Sequence, residues 1–284
     1  MGLNRATPSG SEFYDLWTEL FLRGSGPVFQ AGIVRTGDPP REDPRLSVLA
    51  LAEQAGVQAG DRILDAGCGV AGPAAIIATH YPDVVIEAVT YSERQSAIAR
   101  REVEAADLSR QVRVHVADYQ QLPFRSGLFD QVLFLESTGY ASDLGRTYGE
   151  AYRVLKPGGR LYIKDVFCQS TPLENDQVEQ LETFDELWGC VRSKTMEESV
   201  DAIVRAGFEV TLSAPMQDIG TNRLVGSMFL LGSFTGLRPT ELGEVFLRSG
   251  LNPPIEFGQI RAIRPIGASG PKTLHAYIPS GLCP

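Results

Sequence analysis

Apolar residues between positions 62 and 167 gather in five short runs, at 62–66, 84–90, 112–117, 130–135 and 160–167. Each has the length of a strand. The stretches near 73–80, 93–105 and 143–155 carry apolar residues at helical spacing. Strands that alternate with helices predict a parallel sheet covered by helices.

The flanks read differently. Residues 1–10 look disordered, and Glu12 to Leu22 predicts an amphipathic helix with Phe13, Tyr14, Trp17, Leu20 and Phe21 at helical spacings. A loop rich in Gly and Pro follows over 24–44, then a helix from Pro44 to Ala55 with Asp43 as its cap. Beyond the fifth strand, helices are expected at 173–187 and 196–206 and a strand at 208–214. A mostly helical, apolar stretch over 217–250 and a final strand from Lys272 to Ile278 complete the pattern, with no internal repeat. Three parts emerge: an N-terminal lid over 1–44, a ligand-binding core over 45–170, and a helical cap with the last two strands over 171–284.

The most informative stretch is Ile63 to Gly72, Ile-Leu-Asp-Ala-Gly-Cys-Gly-Val-Ala-Gly. An apolar run ends in Asp65, a glycine-rich turn follows, and a helix begins near Pro73. Gly67, Gly69 and Gly72 lack a Cβ and so allow a ligand close to the backbone, and the helix start offers unpaired N–H groups. The spacing also fits the dinucleotide fingerprint G-x-G-x-x-G, and Glu87 lies twenty residues beyond Gly67, as that reading would want. Asp65 argues against it, since a carboxylate beside the turn repels a pyrophosphate and favours a cation.

The run resembles motif I of the class I S-adenosylmethionine (SAM) methyltransferases, and Leu155-Lys156-Pro157-Gly158-Gly159 before a strand resembles another mark of them. The resemblance implies a Rossmann-like α/β sheet, here with a lid built from the N-terminal helix and the late helical insertion, and SAM as cofactor. The usual acid ending the second strand is replaced by Thr90, but Val89-Thr90-Tyr91-Ser92-x-x-Gln95 resembles a run of tocopherol and related terpenoid C-methyltransferases. Thr90 and Gln95 would then serve the ribose and carboxylate side. Asp118 and Tyr119 follow the third strand where the adenine amino group is bound, and Leu122-Pro123-Phe124 and Phe129-Asp130 keep the family's spacing.

The fourth strand ends in Leu135-Glu136-Ser137-Thr138-Gly139-Tyr140, which resembles geranyl diphosphate C-methyltransferase and its bacterial relatives. That resemblance makes Glu136 the candidate base, with Tyr140 beside it. A glutamate after an apolar run is partly desolvated and more basic, although the same residue could instead hold the SAM amino group or cap a helix. Sheltering a carbocation would fall to aromatic faces, for which Tyr14, Trp17, Tyr140, Phe184 and Trp188 are the candidates. Arg23, Arg35, Arg223, Arg261 and Arg264 fall in expected lid segments but form no cluster that marks a diphosphate site.

Composition narrows the choice. The chain has 284 residues, 43% hydrophobic and 21% charged, with a net charge of −9. An acidic protein lacks the basic face that a nucleic acid needs. Asn252-Pro253-Pro254-Ile255 lacks the aromatic residue a DNA methyltransferase would stack on a base. With no apolar run near the roughly 18 residues of a membrane span and no signal-peptide core, a cytoplasmic protein without membrane contact is expected. Cysteines 68, 168, 190 and 283 and His80, His115 and His275 are too scattered for a metal site, so no metal is expected. The expectation is a methyltransferase of a small, apolar, prenylated or isoprenoid molecule, with homo-oligomerisation left open. Transfer to oxygen or nitrogen of a phenol, sugar or amine is the alternative, and a SAM-binding protein without turnover is a third.

Overall fold

The computed structural model describes residues 14, 15, 18, 22, 26–30, 44–169, 172–216 and 253–267, apart from the side chains of Leu187 and Trp188. The expectations for residues 1–10, Trp17, 217–250 and 272–278, for Arg23, Arg35 and Arg223, and for the Trp188 side chain lie outside the described residues. In chain order come α1 (Pro44–Ala55), β1 (Arg62–Ala66), α2 (Gly72–His80), β2 (Val85–Thr90), α3 (Glu93–Ala105), β3 (Val112–Val116) and β4 (Phe129–Leu135). There follow a single 3₁₀ turn (Thr138–Tyr140), α4 (Leu144–Val154), β5 (Leu155–Cys168), α5 (Asn175–Trp188), α6 (Met196–Arg205), β6 (Glu209–Pro215) and β7 (Ile255–Ile263).

Local chemistry starts these helices where the pattern expects them. Ser92 accepts from Gln95 N ahead of α3 and Asp143 from Arg146 N ahead of α4, each satisfying one of the orphan N–H groups. Thr195 and Glu198 form a reciprocal capping box ahead of α6. Gly189, at φ 64°, closes α5 in the left-handed conformation.

The strands form one sheet in the order β3-β2-β1-β4-β5-β7-β6. Its first five members pair in parallel. Successive residues of β1 point to opposite layers. Ile63 packs with Leu51, Ala74, Ile77 and Val103 of α1, α2 and α3, while Leu64 packs with Tyr148, Ala151 and Ile203 of α4 and α6. Fully burying each such side chain is worth about 1.5–3 kcal/mol.

Two expectations need correction. β5 begins at Leu155 rather than 160, because Leu155 already pairs with Phe129 before a register shift at Gln131, and Gly158 at φ 79° absorbs the irregularity. β7, where no strand was expected, runs antiparallel to both β5 and β6. Its signal was the alternation of buried Ile260 and Ala262 with exposed Arg261 and Ile263. Arg261 is therefore an exposed strand residue rather than part of a lid. Arg264 Nη1 donates to the carbonyls of Tyr152 at 2.8 Å and Leu155 at 2.6 Å, and the guanidinium lies 4.5 Å from the Tyr152 ring centroid. Ile263 pairs with Arg160 near the start of the long regular part of β5, so Arg264 sits at the edge opposite the strands' carboxyl ends.

Candidate functional site

Strand order reverses between β1 and β4, and in open α/β sheets the crevice at the carboxyl ends beside such a switch takes the ligand. The first wall is the turn after β1. Gly67 and Cys68 both donate to Val89 O, at 2.9 and 2.8 Å, and Gly67, Gly69 and the non-glycine Ala71 all have positive φ. The expectation that all three glycines clear room for a ligand is revised. A Cβ on Gly67 would overlap Ser137, and one on Gly72 would overlap the Pro27 carbonyl. Only at Gly69 is the neighbour, the Phe29 ring edge 3.4 Å away, at ordinary contact distance.

Asp65 is buried beneath this turn, and its Oδ2 has no hydrogen-bond partner among the described residues. Burial pushes its carboxyl up to about 7. Gln30 reaches over from the N-terminal segment to donate to Leu135 O at 3.2 Å, and its own Oε1 is likewise buried and unpartnered. Two buried acceptors without donors call for a donor-bearing, preferably cationic, ligand group.

At the end of β2, Thr90 Oγ1 donates to Gln95 Oε1 at 2.6 Å, and Gln95 Nε2 donates to Thr18 Oγ1 at 2.9 Å. Ser92 Oγ donates to Asp15 Oδ1 at 2.6 Å. Thr90 and Gln95 thus bind each other and anchor the N-terminal segment over the β2 edge. Glu87 lies mid-strand with Arg62 at 2.6 Å, Arg113 at 3.2 Å and His115 at 2.7 Å around its carboxylate. Burial raises its pKa but the bonds to His115 and Arg62 outweigh it, so the group is held below the ordinary value. Its oxygens are committed away from the crevice, which removes the acid that the dinucleotide reading needs.

Past β3, Asp118 Oδ1 accepts from Gln120 N at 2.8 Å, and Tyr119 Oη donates to Ser137 O at 2.8 Å. Burial drives the Tyr119 phenol far above its ordinary value. The turns after β3 and β4 are therefore tied together, and Ser137 Oγ ties the latter back to Ala66 O at 2.7 Å.

Glu136 opens the turn after β4 at φ 56°, a left-handed conformation rare for a residue with a Cβ. Its carboxylate pairs with the ammonium of Lys164 on β5. The Lys164 side chain is 0% exposed and that of Glu136 20%, which agrees with the expected partial desolvation of the glutamate. The lysine partner was not foreseen, although a charge inside the run Leu161 to Phe167 was a visible anomaly. Thr138 donates through both N and Oγ1 to Asp165 Oδ2, each at 2.7 Å. Tyr140 meets Tyr14 edge to face, their ring centroids 5.3 Å apart. Burial pushes the Tyr14 phenol up to about 12 and raises that of Tyr140 well above its ordinary value. α5 docks on this turn from its end, where Val191 N donates to Gly139 O at 3.3 Å, and Phe184 is buried on the same helix. Glu136, Tyr140 and Tyr14 are thereby associated with one turn, and Asp65, Gly67, Gly69, Thr90, Gln95, Asp118 and Tyr119 line up along the carboxyl edges of β1 to β3.

The family model for a methyltransferase domain matches residues 64–163, which span β1 to the middle of β5. Over these residues the chain carries a methyltransferase domain of the class I SAM-dependent type. The unpartnered Asp65 carboxylate beside the glycine turn fits SAM, whose methionine end carries an ammonium. Cycloartenol-C-24-methyltransferase of Arabidopsis thaliana is 30% identical over 203 residues, covering 70% of this chain and 60% of that protein. The chain thus spans little more than half the length of the curated relatives it matches. Among solved structures, the cyclase SpnF superposes with a TM-score of 0.75 at 23% identity, covering 90% of this chain and 96% of that one. Geranyl diphosphate C-methyltransferase of Streptomyces coelicolor A3(2) superposes with a TM-score of 0.65 at 19% identity, covering 90% of this chain and 100% of that one. At these identities the two superpositions establish the shared Rossmann-like fold.

Proposed function

We propose that this methyltransferase methylates a carbon–carbon double bond of a small isoprenoid or prenylated molecule, with Glu136 as the base. The observation that carries the reading is the turn after β4, where Glu136 is held in a left-handed conformation and ion-paired to a fully buried lysine. Strained non-glycine backbone persists only where its surroundings over-determine it, and such sites cluster where function needs them. Similarity to a sterol C-24-methyltransferase supports carbon as the acceptor atom.

When bound, SAM supplies an electrophilic methyl group on a cationic sulfur. Asp65 would accept from its ammonium, Gly67 and Gly69 shape the turn against it, and Asp118 with Tyr119 bounds the adenine side. Thr90 and Gln95 hold the N-terminal segment on the ribose side through Thr18. Tyr14 and Tyr140 present aromatic surface, which shelters a developing cation through its π faces. Phe184, buried on α5, adds to the apolar lining in this reading. The alkene π pair would form the new carbon–carbon bond to the methyl carbon as the sulfur–methyl bond breaks and its electron pair returns to sulfur, leaving a carbocation on the adjacent carbon. Glu136 then takes the proton from a neighbouring carbon, and the C–H electron pair becomes the new double bond. This reading assigns neither Arg261, which lies on β7, nor Arg264, which donates to the carbonyls of Tyr152 and Leu155, to a diphosphate site.

The test supplies SAM with a deuterated methyl group together with a panel of isoprenoids, prenylated indoles, phenols and sugars. Mass spectrometry finds the labelled product and NMR locates the label. A label on carbon, with turnover in Glu136→Gln reduced on the order of 10²-fold or more, supports the reading. A label on oxygen or nitrogen overturns it, and SAM binding with no labelled product from any acceptor favours a binding role.

A further inference from the structure

Lys164 is among the largest fully buried side chains of the protein. A buried ammonium is costly to desolvate and is retained in cores only when paired. Lys164 holds Glu136 twice. Its Nζ pairs with Glu136 Oε1, and its carbonyl accepts from Glu136 N at 2.6 Å. The ammonium also lies 4.7 Å from the Phe257 ring centroid, a cation–π contact from β7.

The next residue of β5 completes the arrangement from the other side. Successive strand residues face opposite ways, and Asp165 spends its Oδ2 on Thr138 N and Oγ1 and its Oδ1 on Val166 N. One strand therefore grips both ends of the Glu136-Ser137-Thr138 turn, the first end by a cation and the last by an anion. The backbone of Glu136 is strained where it is gripped. A purely structural core position at 164 would be served as well by an apolar side chain of similar volume.

We infer that Lys164 is a positioning residue that aims the Glu136 carboxylate into the crevice and that its role is exerted only through Glu136. Burial, which lowers the Lys164 pKa against the opposing pull of Asp165, agrees with an ammonium that depends on a nearby carboxylate for its charge. This inference rests on the reading of Glu136 as the base.

Two measurements test it. In the first, NMR of protein labelled with ¹⁵N at lysine Nζ follows the Lys164 signal with pH in the wild type and in Glu136→Gln. The expected result is a Lys164 titration midpoint lowered in the variant, and an unchanged midpoint overturns the pairing without any need for turnover. In the second, transfer of the deuterated methyl group is followed in Lys164→Met, Glu136→Gln and the double variant, with SAM affinity measured alongside. Lys164→Met is expected to keep SAM affinity and acceptor KM within about threefold and to lower kcat at least tenfold. The double variant should be no slower than Glu136→Gln alone, because the lysine acts through the glutamate. Losses that multiply overturn the proposal, as does full turnover in Lys164→Met beside a slow Glu136→Gln. Full turnover in Glu136→Gln instead overturns the base reading, while the NMR result still reports on the pairing. If Lys164→Met does not fold, Lys164→Gln keeps an N–H donor toward Glu136 and is expected to retain more activity than Lys164→Ala.

Discussion

Gly67 and Ser137 meet where the turns after β1 and β4 cross, and there is no room at that crossing for a side chain at position 67. A Cβ there would overlap that of Ser137, whose hydroxyl is already bound to Ala66 O at 2.7 Å. Gly67 also has φ 88°. Gly67→Ala therefore meets overpacking and backbone strain together, and is expected to destabilise the fold by about 2–4 kcal/mol in denaturant unfolding. Adding Ser137→Gly relieves the overlap and should recover part of that loss, while the strain stays.

Asp65 is expected to make cofactor binding pH-dependent. Its folded pKa is about 7, raised above an unfolded value of roughly 3.9. In the free protein the folded state binds the extra proton, so this group's contribution to stability falls as pH rises from about 4 to 7. A cationic ligand favours the carboxylate. Calorimetry in buffers of different ionisation heat should show SAM binding releasing a proton at pH 6, and affinity should rise between about pH 5.5 and 7. Asp65→Asn is expected to abolish the release and to weaken binding at pH 7.5 by about ten- to a hundredfold.

Glu87 is a structural carboxylate. Its pKa is depressed by His115 and Arg62 against the opposing effect of burial. The stability it contributes is thus present above its unfolded pKa and is lost as pH falls through its folded one. Glu87→Gln should cost about 1–3 kcal/mol at pH 7 and flatten the acid side of the stability profile, with SAM affinity unchanged.

The Thr18–Gln95 bond is buried and joins residues 77 positions apart. Thr18→Val strands the Gln95 amide in the interior and should cost about 1–3 kcal/mol in thermal unfolding. Thr18→Val with Gln95→Met removes both partners and is expected to cost less than the sum of the single changes.

Among the described residues, β1 to β6 and α1 to α6 were legible in the sequence to within a few residues, β5 excepted, because their signals are local. Apolar period, Pro73 at a helix start, Ser92 and Asp143 as caps and Gly189 as a stop each act over a few neighbouring residues. The turn after β1 was legible for the same reason, and with it the likeness to a methyltransferase domain. β7 was not, because half of its identity lies in β5 and β6, the two strands it joins.

What the sequence by itself determined is the order of strands and helices, the glycine turn after Asp65, and the placing of Thr90, Asp118 and Glu136 at the strands' carboxyl ends. What only the tertiary structure decided is what those residues touch. Gly67 is glycine because Ser137 lies against it, Thr90 and Gln95 are joined to Thr18, and Glu136 is held by Lys164. Each contact crosses between segments that come together only when the sheet assembles. A side chain's partners in a buried, low-dielectric site are set by that assembly, whereas its place on a strand or turn is set by its near neighbours.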